Sequence, residues 1–107
     1  MISVRAEYDS SHLVDLLVTG HGGEEKGYDI YCAGVSTCLI GALNALDNAE
    51  NYKIEVRSGY THLIATTLST THDEIVLETL LVQLKTLADS YPEHCKVVEI
   101  SRKEGTK

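Results

Sequence analysis

A long apolar helix in the middle of the chain is the feature that most constrains the fold. From Ile30 to about Asn48 apolar residues cover nearly the whole circumference of a helix, and Asp29 is a good N-cap at its start. Small residues are frequent in this segment and allow another backbone to approach closely. Such a helix is expected to be buried at the centre of a domain, so the rest of the chain must supply the elements that cover it.

The segments on either side of this helix show either the two-residue hydrophobic period of a strand or the 3.6-residue period of a helix. Residues 2–8 alternate apolar and polar side chains, as a half-buried strand does. A second helix is predicted from Thr70-Thr71 to about residue 88, because its apolar residues recur at helical spacing and Pro92 lies just beyond its end. Further strands are predicted at residues 13–19, 52–57, 60–66 and 95–100, with turns at residues 9–11 and 58–59.

The order ββαββαβ predicts an α+β domain, with two helices packed on one face of a largely antiparallel or mixed sheet. With 107 residues the chain is long enough for one hydrophobic core and too short for two, so residues 1–107 are expected to form a single domain. Residues 101–107 are charged and are expected to be a disordered tail.

Composition narrows the class of function. The net charge of −7 disfavours direct binding to nucleic acid, which depends on Lys and Arg side chains, but an acidic protein can attract a basic protein. No apolar run approaches the roughly 20 residues of a membrane span, and the first residues lack the pattern of a signal peptide, so a cytoplasmic location is expected. Three cysteines without a CxxC pair argue against disulfides and zinc ribbons, and we expect neither a cofactor nor a metal.

One segment carries most of the chemical information: residues 20–36, G-H-G-G-E-E-K-G-Y-D-I-Y-C-A-G-V-S. His21 leaves the end of a strand, and Cys32 falls in the first turn of the following helix, where the helix dipole stabilises a thiolate. The loop between them is long enough to bring the imidazole within hydrogen-bond reach of the sulfur. The pattern therefore predicts an activated thiol, with Cys32 as nucleophile and His21 as general base.

Other residues of this segment have supporting roles in this interpretation. Asp29 can cap the helix, orient His21, or do both in turn. Ser36 lies one turn beyond Cys32 on the same face of the helix, where its hydroxyl can form a hydrogen bond near the site. The glycines are expected to let a mobile loop close over a peptide and expel water; the substrate and loop residues are Gly20, Gly22, Gly23, Gly27 and Ser36.

Each residue also has a purely structural interpretation. A cysteine in an apolar helix is usually a small core residue, and Asp29 is by default a plain helix cap. It is the joint arrangement of His21, a flexible loop and Asp29-x-x-Cys32 that favours a reactive site. Elsewhere, Cys38 is expected in the core, Cys95 beside His94 is only a weak candidate for a metal site, and no partner is implied for His12, His62 or His72.

The segment closely resembles the signature of the ribosomal-processing cysteine proteases of Gram-positive and related bacteria. That signature is Gly-His-Ala, a loop, then Gly-x-Asp-apolar-x-Cys-Ala-small-small-Ser. Gly22 replaces the usual alanine, which should loosen the loop slightly. The downstream Asn44-Ala45 and the overall length also fit, so the resemblance spans essentially the whole chain. The matching residues are Gly20, His21, Gly27, Asp29, Cys32, Ala33, Gly34 and Ser36.

The resemblance implies a Cys32–His21 dyad and a homodimer. It also implies a substrate, the N-terminal extension of a basic large-subunit ribosomal protein, number twenty-seven of the bacterial set, cut after a Phe-Phe pair during ribosome maturation. Two other functions remain open on the sequence: a non-catalytic ribosome-assembly or interaction protein with a structural Cys32, and a different thiol hydrolase such as a thioesterase or amidase.

Overall fold

A computed structural model describes residues 1–21 and 29–102 of the chain. Five strands and two α-helices follow one another in the predicted order ββαββαβ, which confirms the α+β class. A short 3₁₀ turn, Ala49–Asn51, precedes the third strand. The elements are β1 (Ile2–Asp9), β2 (His12–Gly20), α1 (Ile30–Ala45), β3 (Tyr52–Arg57), β4 (Tyr60–Ala65), α2 (Thr71–Ser90) and β5 (Cys95–Ser101).

The strands form one mixed sheet in the order β3-β4-β2-β1-β5. Three of its four strand pairs are antiparallel, and β5 pairs in parallel with β1 at the edge of the sheet. The turn between β1 and β2 holds Ser10 and Ser11 at φ of 52° and 69°, the left-handed conformation of a tight hairpin.

The core lies between one face of this sheet and the two helices. Alternate residues of every strand point to that face, and the parallel and antiparallel registers bring them side by side. Both helices add aliphatic side chains to the same cluster, so the prediction of two helices on one face is confirmed. The buried apolar residues are Ile2, Val4, Ala6, Leu16, Val18, Val35, Leu39, Tyr52, Leu63, Leu77, Leu80, Leu81, Leu84 and Cys95.

Helix α1 is less buried than its apolar sequence predicts. Only Val35 and Leu39 are fully buried, and Ile30 and Ile40 are exposed, so the prediction of a central, buried helix is wrong. The sheet and α2 together cover one side of α1, and no described element packs on the other side. An apolar sequence all round a helix therefore does not mark burial here.

Helix α1 also ends earlier than predicted, at Ala45 instead of about Asn48. The backbone N–H groups of Asp47 and Asn48 donate to the carboxylate of Asp73, at 2.8 and 3.0 Å. These bonds turn the chain away from the helix axis. Asp73 is completely buried in the first turn of α2, whose N-cap is Thr70.

The C-terminal boundary also differs from the prediction. Ser101, assigned to the tail, ends β5 opposite Tyr8 of β1. Arg102 donates its backbone N–H to the Tyr8 carbonyl and its side chain to Glu7. The edge strand therefore continues beyond its last apolar residue, while residues 103–107 lie outside the described residues. Within the described residues, neither helix combines the length and apolar character needed to cross a membrane.

Candidate active site

The position of His21 is determined by the end of β2. Gly20, the last residue of β2, has φ of +96°, and a Cβ on it would lie 2.2 Å from the Met1 carbonyl oxygen. Only glycine fits this close approach without a shift of the backbone. Gly20 also donates its N–H to the carbonyl of Gly59, at 3.0 Å, so the end of β2 is attached to the β3–β4 turn.

The position of Cys32 is determined by the start of α1. Asp29 is the N-cap, and its Oδ1 accepts a hydrogen bond from the Cys32 N–H at 3.0 Å. The predicted capping role of Asp29 is therefore confirmed. Cys32 is the third residue of α1, and the positive end of the helix dipole lies beside its sulfur.

The two side chains meet across the space between β2 and α1. Cys32 Sγ lies 3.6 Å from His21 Nδ1, within hydrogen-bonding range for sulfur. His21 is exposed to solvent and Cys32 is partly buried. Thiol and imidazole are thus close enough for proton transfer, while the imidazole stays accessible to a ligand.

The β3–β4 turn lies against the Nε2 and Cε1 atoms of the imidazole, whereas Cys32 faces Nδ1. A Cβ on Gly59, whose φ is +69°, would be 2.9 Å from His21 Nε2 and 3.0 Å from His21 Cε1. The sequence shows residues 58–59 as a hairpin turn but gives no hint of this contact, because it depends on the pairing of β4 with β2. Gly59 is therefore a site residue that sequence reasoning missed.

Cys32 and His21 line a cleft of about 240 Å³ between α1 and the β3–β4 hairpin. One part of its wall is polar and includes Ser36, as the sequence predicts for a residue one turn beyond Cys32. Another part is apolar and is formed by Val35, Leu39, Ile40 and Val56. Gly22, Gly23 and Gly27, and with them the predicted mobile loop, lie outside the described residues.

The remaining cysteines are located away from this cleft. Cys38 packs against the core and Cys95 is buried in β5, where burial raises the pKa of its thiol. The His94 ring stacks on the Tyr31 ring, with centroids 4.0 Å apart. In the described part of the chain, the metal-binding groups that come together are those of His21, Asp29 and Cys32, so the weak candidate at Cys95 and His94 receives no support.

Three other histidines have partners that the sequence does not reveal. His12 bonds to Glu74, His62 Nε2 lies 2.9 Å from Asp15, and His72 Nε2 lies 2.9 Å from the Ala45 carbonyl. The hydrogen bond to this carbonyl raises the pKa of His72.

A second, larger groove of about 620 Å³ lies at the opposite end of β1 and β2, beside α2. It contains the pair of Tyr8 and Glu99, whose hydroxyl and carboxylate are 2.6 Å apart. Burial and this bond raise the pKa of Tyr8. Neither Cys32 nor His21 borders this groove, so the 240 Å³ cleft is the better candidate site.

A thiol at a helix N-terminus beside an imidazole is the arrangement by which thiol hydrolases activate a cysteine nucleophile. Comparison with known proteins narrows this class. The family model described as "Cysteine protease Prp" matches residues 1–96, and the chain belongs to this family of cysteine proteases.

Individual relatives agree with the family. The ribosomal processing cysteine protease Prp of Staphylococcus aureus is 28% identical over 94 residues, which cover 83% of this chain and 89% of that protein. The crystal structure of the essential Staphylococcus aureus Prp with a covalently linked product peptide has a TM-score of 0.82 and 27% identity, over 92% of this chain and 99% of that one. A Streptococcus mutans crystal structure has a TM-score of 0.74 at 25% identity, over 95% and 96%.

Proposed function

We propose that the chain is a cysteine endopeptidase whose catalytic dyad is Cys32 and His21. The observation that carries this proposal is the distance of 3.6 Å between Cys32 Sγ and His21 Nδ1 at the N-terminus of α1. A thiolate is the reactive form of cysteine, and both the helix dipole and a neighbouring base favour it.

The proposed reaction follows from these positions. The Cys32 thiol gives its proton to His21 and its sulfur attacks the scissile carbonyl carbon, while backbone N–H groups at the start of α1 stabilise the oxyanion that forms. His21 then gives its proton to the leaving amine, and the C–N bond breaks to leave an acyl-enzyme. A water molecule, deprotonated by His21, hydrolyses the thioester and restores the thiol.

Asp29 has two roles in this proposal. Its carboxylate caps α1 through the Cys32 N–H and lies within 4.8 Å of the ligand atoms of both dyad residues. We expect it to orient His21 as well. Asp29→Asn keeps a good cap, so an orienting role predicts at least a tenfold loss of turnover with little change in melting temperature. Unchanged turnover would restrict Asp29 to capping.

The cleft indicates the kind of residue that binds next to the scissile bond. Val56 is 48% exposed and Ile40 is 43% exposed, although both are apolar and border the cleft. Exposed apolar side chains beside a reactive thiol favour an apolar substrate side chain, whose burial would remove them from water. This supports a cut after the aromatic pair that the family resemblance implies.

We propose as substrate the short N-terminal extension of the basic large-subunit ribosomal protein number twenty-seven, removed during ribosome maturation in the cytoplasm. Two observations support a basic ribosomal protein as the partner. The chain has a net charge of −7, which attracts a basic polypeptide. Its Staphylococcus aureus relative is a ribosomal processing protease, and a second structure of that relative, at 27% identity and a TM-score of 0.73, contains a substrate peptide.

We also propose that the protein acts as a homodimer. The exposed side of α1 supports this, because the helix contains no charged residue and leaves Ile30 69% exposed. A Cβ added at Gly34 or Gly41 would meet nothing within 4 Å, so a second backbone could approach there. Sedimentation of the wild type and of Gly41→Glu tests the proposal. A monomeric wild-type protein at micromolar concentration would contradict it.

The experiment that tests the function is incubation with a peptide that carries the extension, followed by mass spectrometry of the products. We expect one cut after the aromatic pair, and none with Cys32→Ala or His21→Ala. Cys38→Ala is the matched control, since this cysteine lies on the same helix and packs against the core. Activity above a tenth of wild type in Cys32→Ala would refute the dyad.

A further inference from the structure

Three potential metal ligands of different chemistry meet at the candidate active site. One ligand atom each of His21, Asp29 and Cys32 lies within 4.8 Å of the other two. They come from two elements, since His21 follows the end of β2 and the other two residues lie at the start of α1. The side chains are exposed or only partly buried, so an ion from solvent can reach them.

The separations are close to those of a tetrahedral zinc site. Zinc bonds of about 2.3 Å to sulfur and 2.0–2.2 Å to nitrogen and oxygen, at tetrahedral angles, separate the ligand atoms by about 3.4–3.6 Å. The Sγ–Nδ1 distance of 3.6 Å already has this value. The carboxylate of Asp29 needs to move by no more than about 1.4 Å, because its separations are at most 4.8 Å and a tetrahedral site needs about 3.4–3.6 Å.

We propose that His21, Asp29 and Cys32 bind a zinc ion, with a water molecule as the fourth ligand, and that this ion reversibly inhibits the protein. Thiolate, imidazole and carboxylate are the ligands that Zn²⁺ uses in proteins, whereas Mg²⁺ prefers six oxygen ligands. Binding replaces the S–H bond of Cys32 with an S–Zn bond and releases the proton to solvent. No oxidation or reduction is involved.

Inhibition follows from the identity of the ligands. The Cys32 sulfur donates its electron pair to the metal and cannot attack a carbonyl, and the lone pair of His21 Nδ1 is occupied in the same way. A chelator that removes the ion restores both groups. This regulatory consequence rests on the proposed peptidase function, but binding of the ion does not.

Binding is tested with the full-length protein and metal alone. Co²⁺ serves as the probe, because a cobalt–thiolate bond gives a charge-transfer absorption band, and Zn²⁺ competes for the same site. We expect one Co²⁺ per chain, displaced by Zn²⁺ and insensitive to Mg²⁺. Cys32→Ala should abolish the band, and Asp29→Asn should weaken binding at least tenfold. Cys38→Ala, with the same number of cysteines as Cys32→Ala, should bind as the wild type does.

Inhibition is then tested with the peptide substrate. Zn²⁺ should abolish cleavage by the wild type, and EDTA should restore it fully. Absence of the cobalt band, or a band that persists in Cys32→Ala, overturns the inference whatever the activity. An active enzyme that Zn²⁺ does not inhibit also overturns it, whereas a protein that binds Co²⁺ through Cys32 but never cleaves peptide refutes the proposed function alone.

Discussion

Gly59→Ser tests whether the β3–β4 turn positions the imidazole of His21. A Cβ at residue 59 would lie 2.9 Å from His21 Nε2, whereas an ordinary contact requires about 3.5 Å or more. The ring must therefore move by roughly 0.6 Å or more. The ring is the far end of an exposed side chain, so it yields more readily than the backbone of the turn.

The movement acts on a pair that is already near the limit of hydrogen bonding. With Cys32 Sγ and His21 Nδ1 at 3.6 Å, a displacement of this size changes the distance and the angle between the two groups and so lowers the rate of proton transfer. A misplacement of about 1 Å lowers catalytic rates about 100-fold, so we expect kcat/KM of Gly59→Ser to fall between about 10-fold and 100-fold. The left-handed φ of +69° adds a backbone cost of about 1–2 kcal/mol in stability.

Ser11 provides the matched control. It is a serine at φ of 69° in the other hairpin turn, which shows that this fold tolerates the same residue in the same conformation. Ser11→Ala should therefore leave kcat/KM unchanged. Steady-state cleavage of the peptide, with urea unfolding of each variant, separates the two effects. If folded Gly59→Ser keeps kcat/KM within threefold of the wild type, the turn does not position the base.

Three further predictions concern other parts of the molecule. Asp73→Ala leaves two backbone N–H groups of the α1–β3 connection without their buried acceptor and should destabilise the protein by about 3 kcal/mol in urea unfolding. Glu78→Ala, at an exposed position of the same helix, should change the stability little. Equal stabilities of the two variants would contradict this role of Asp73. His72 has its pKa raised above its ordinary value of 6.5 by the carbonyl at the end of α1, so the stability that it adds is complete below pH 6.5 and is lost as the pH rises through the raised pKa. His72→Gln should remove this part of the pH dependence of the melting temperature, and an unchanged profile would refute the assignment. Val56→Asp places a charge on the apolar wall of the cleft and should lower kcat/KM about tenfold, mainly by raising KM. An unchanged KM would show that the substrate does not contact this wall.

Local patterns predict most of the fold. The bounds of β3 agree with the prediction, because both signals that mark this strand are local: its alternating pattern of side chains and the turn at residues 58–59 that follows it directly. The end of α1 could not be predicted, since the carboxylate of Asp73 that turns the chain is 26 residues from Asp47. The exposure of α1 also has no local signal, because it depends on which elements pack against the helix.

The difference between local and long-range signals also explains which site residues the sequence predicts. His21 and Cys32 are predicted together because they lie eleven residues apart at a strand end and a helix start. Gly59 and the apolar wall at Val56 come from a hairpin whose position depends on the pairing of Thr19 with Tyr60. Sequence reasoning from one chain cannot supply that register.

The contact between Cys32 and His21 depends on how α1 packs on the sheet. Cys32 belongs to α1, whereas His21 follows Gly20, which is bonded to the β3–β4 turn of the sheet. The distance between the two side chains is therefore set by the packing of α1 on the sheet and not by the local backbone. The buried residues that hold α1 on the sheet, Val35 and Leu39, begin one turn after Cys32, on the same side of the helix as the cleft. A cavity or an overpacked side chain there would shift the start of α1 relative to the sheet. The distance from Cys32 Sγ to His21 Nδ1 therefore links the packing of the core to the reactivity of the thiol, and the two cannot be altered independently at these positions.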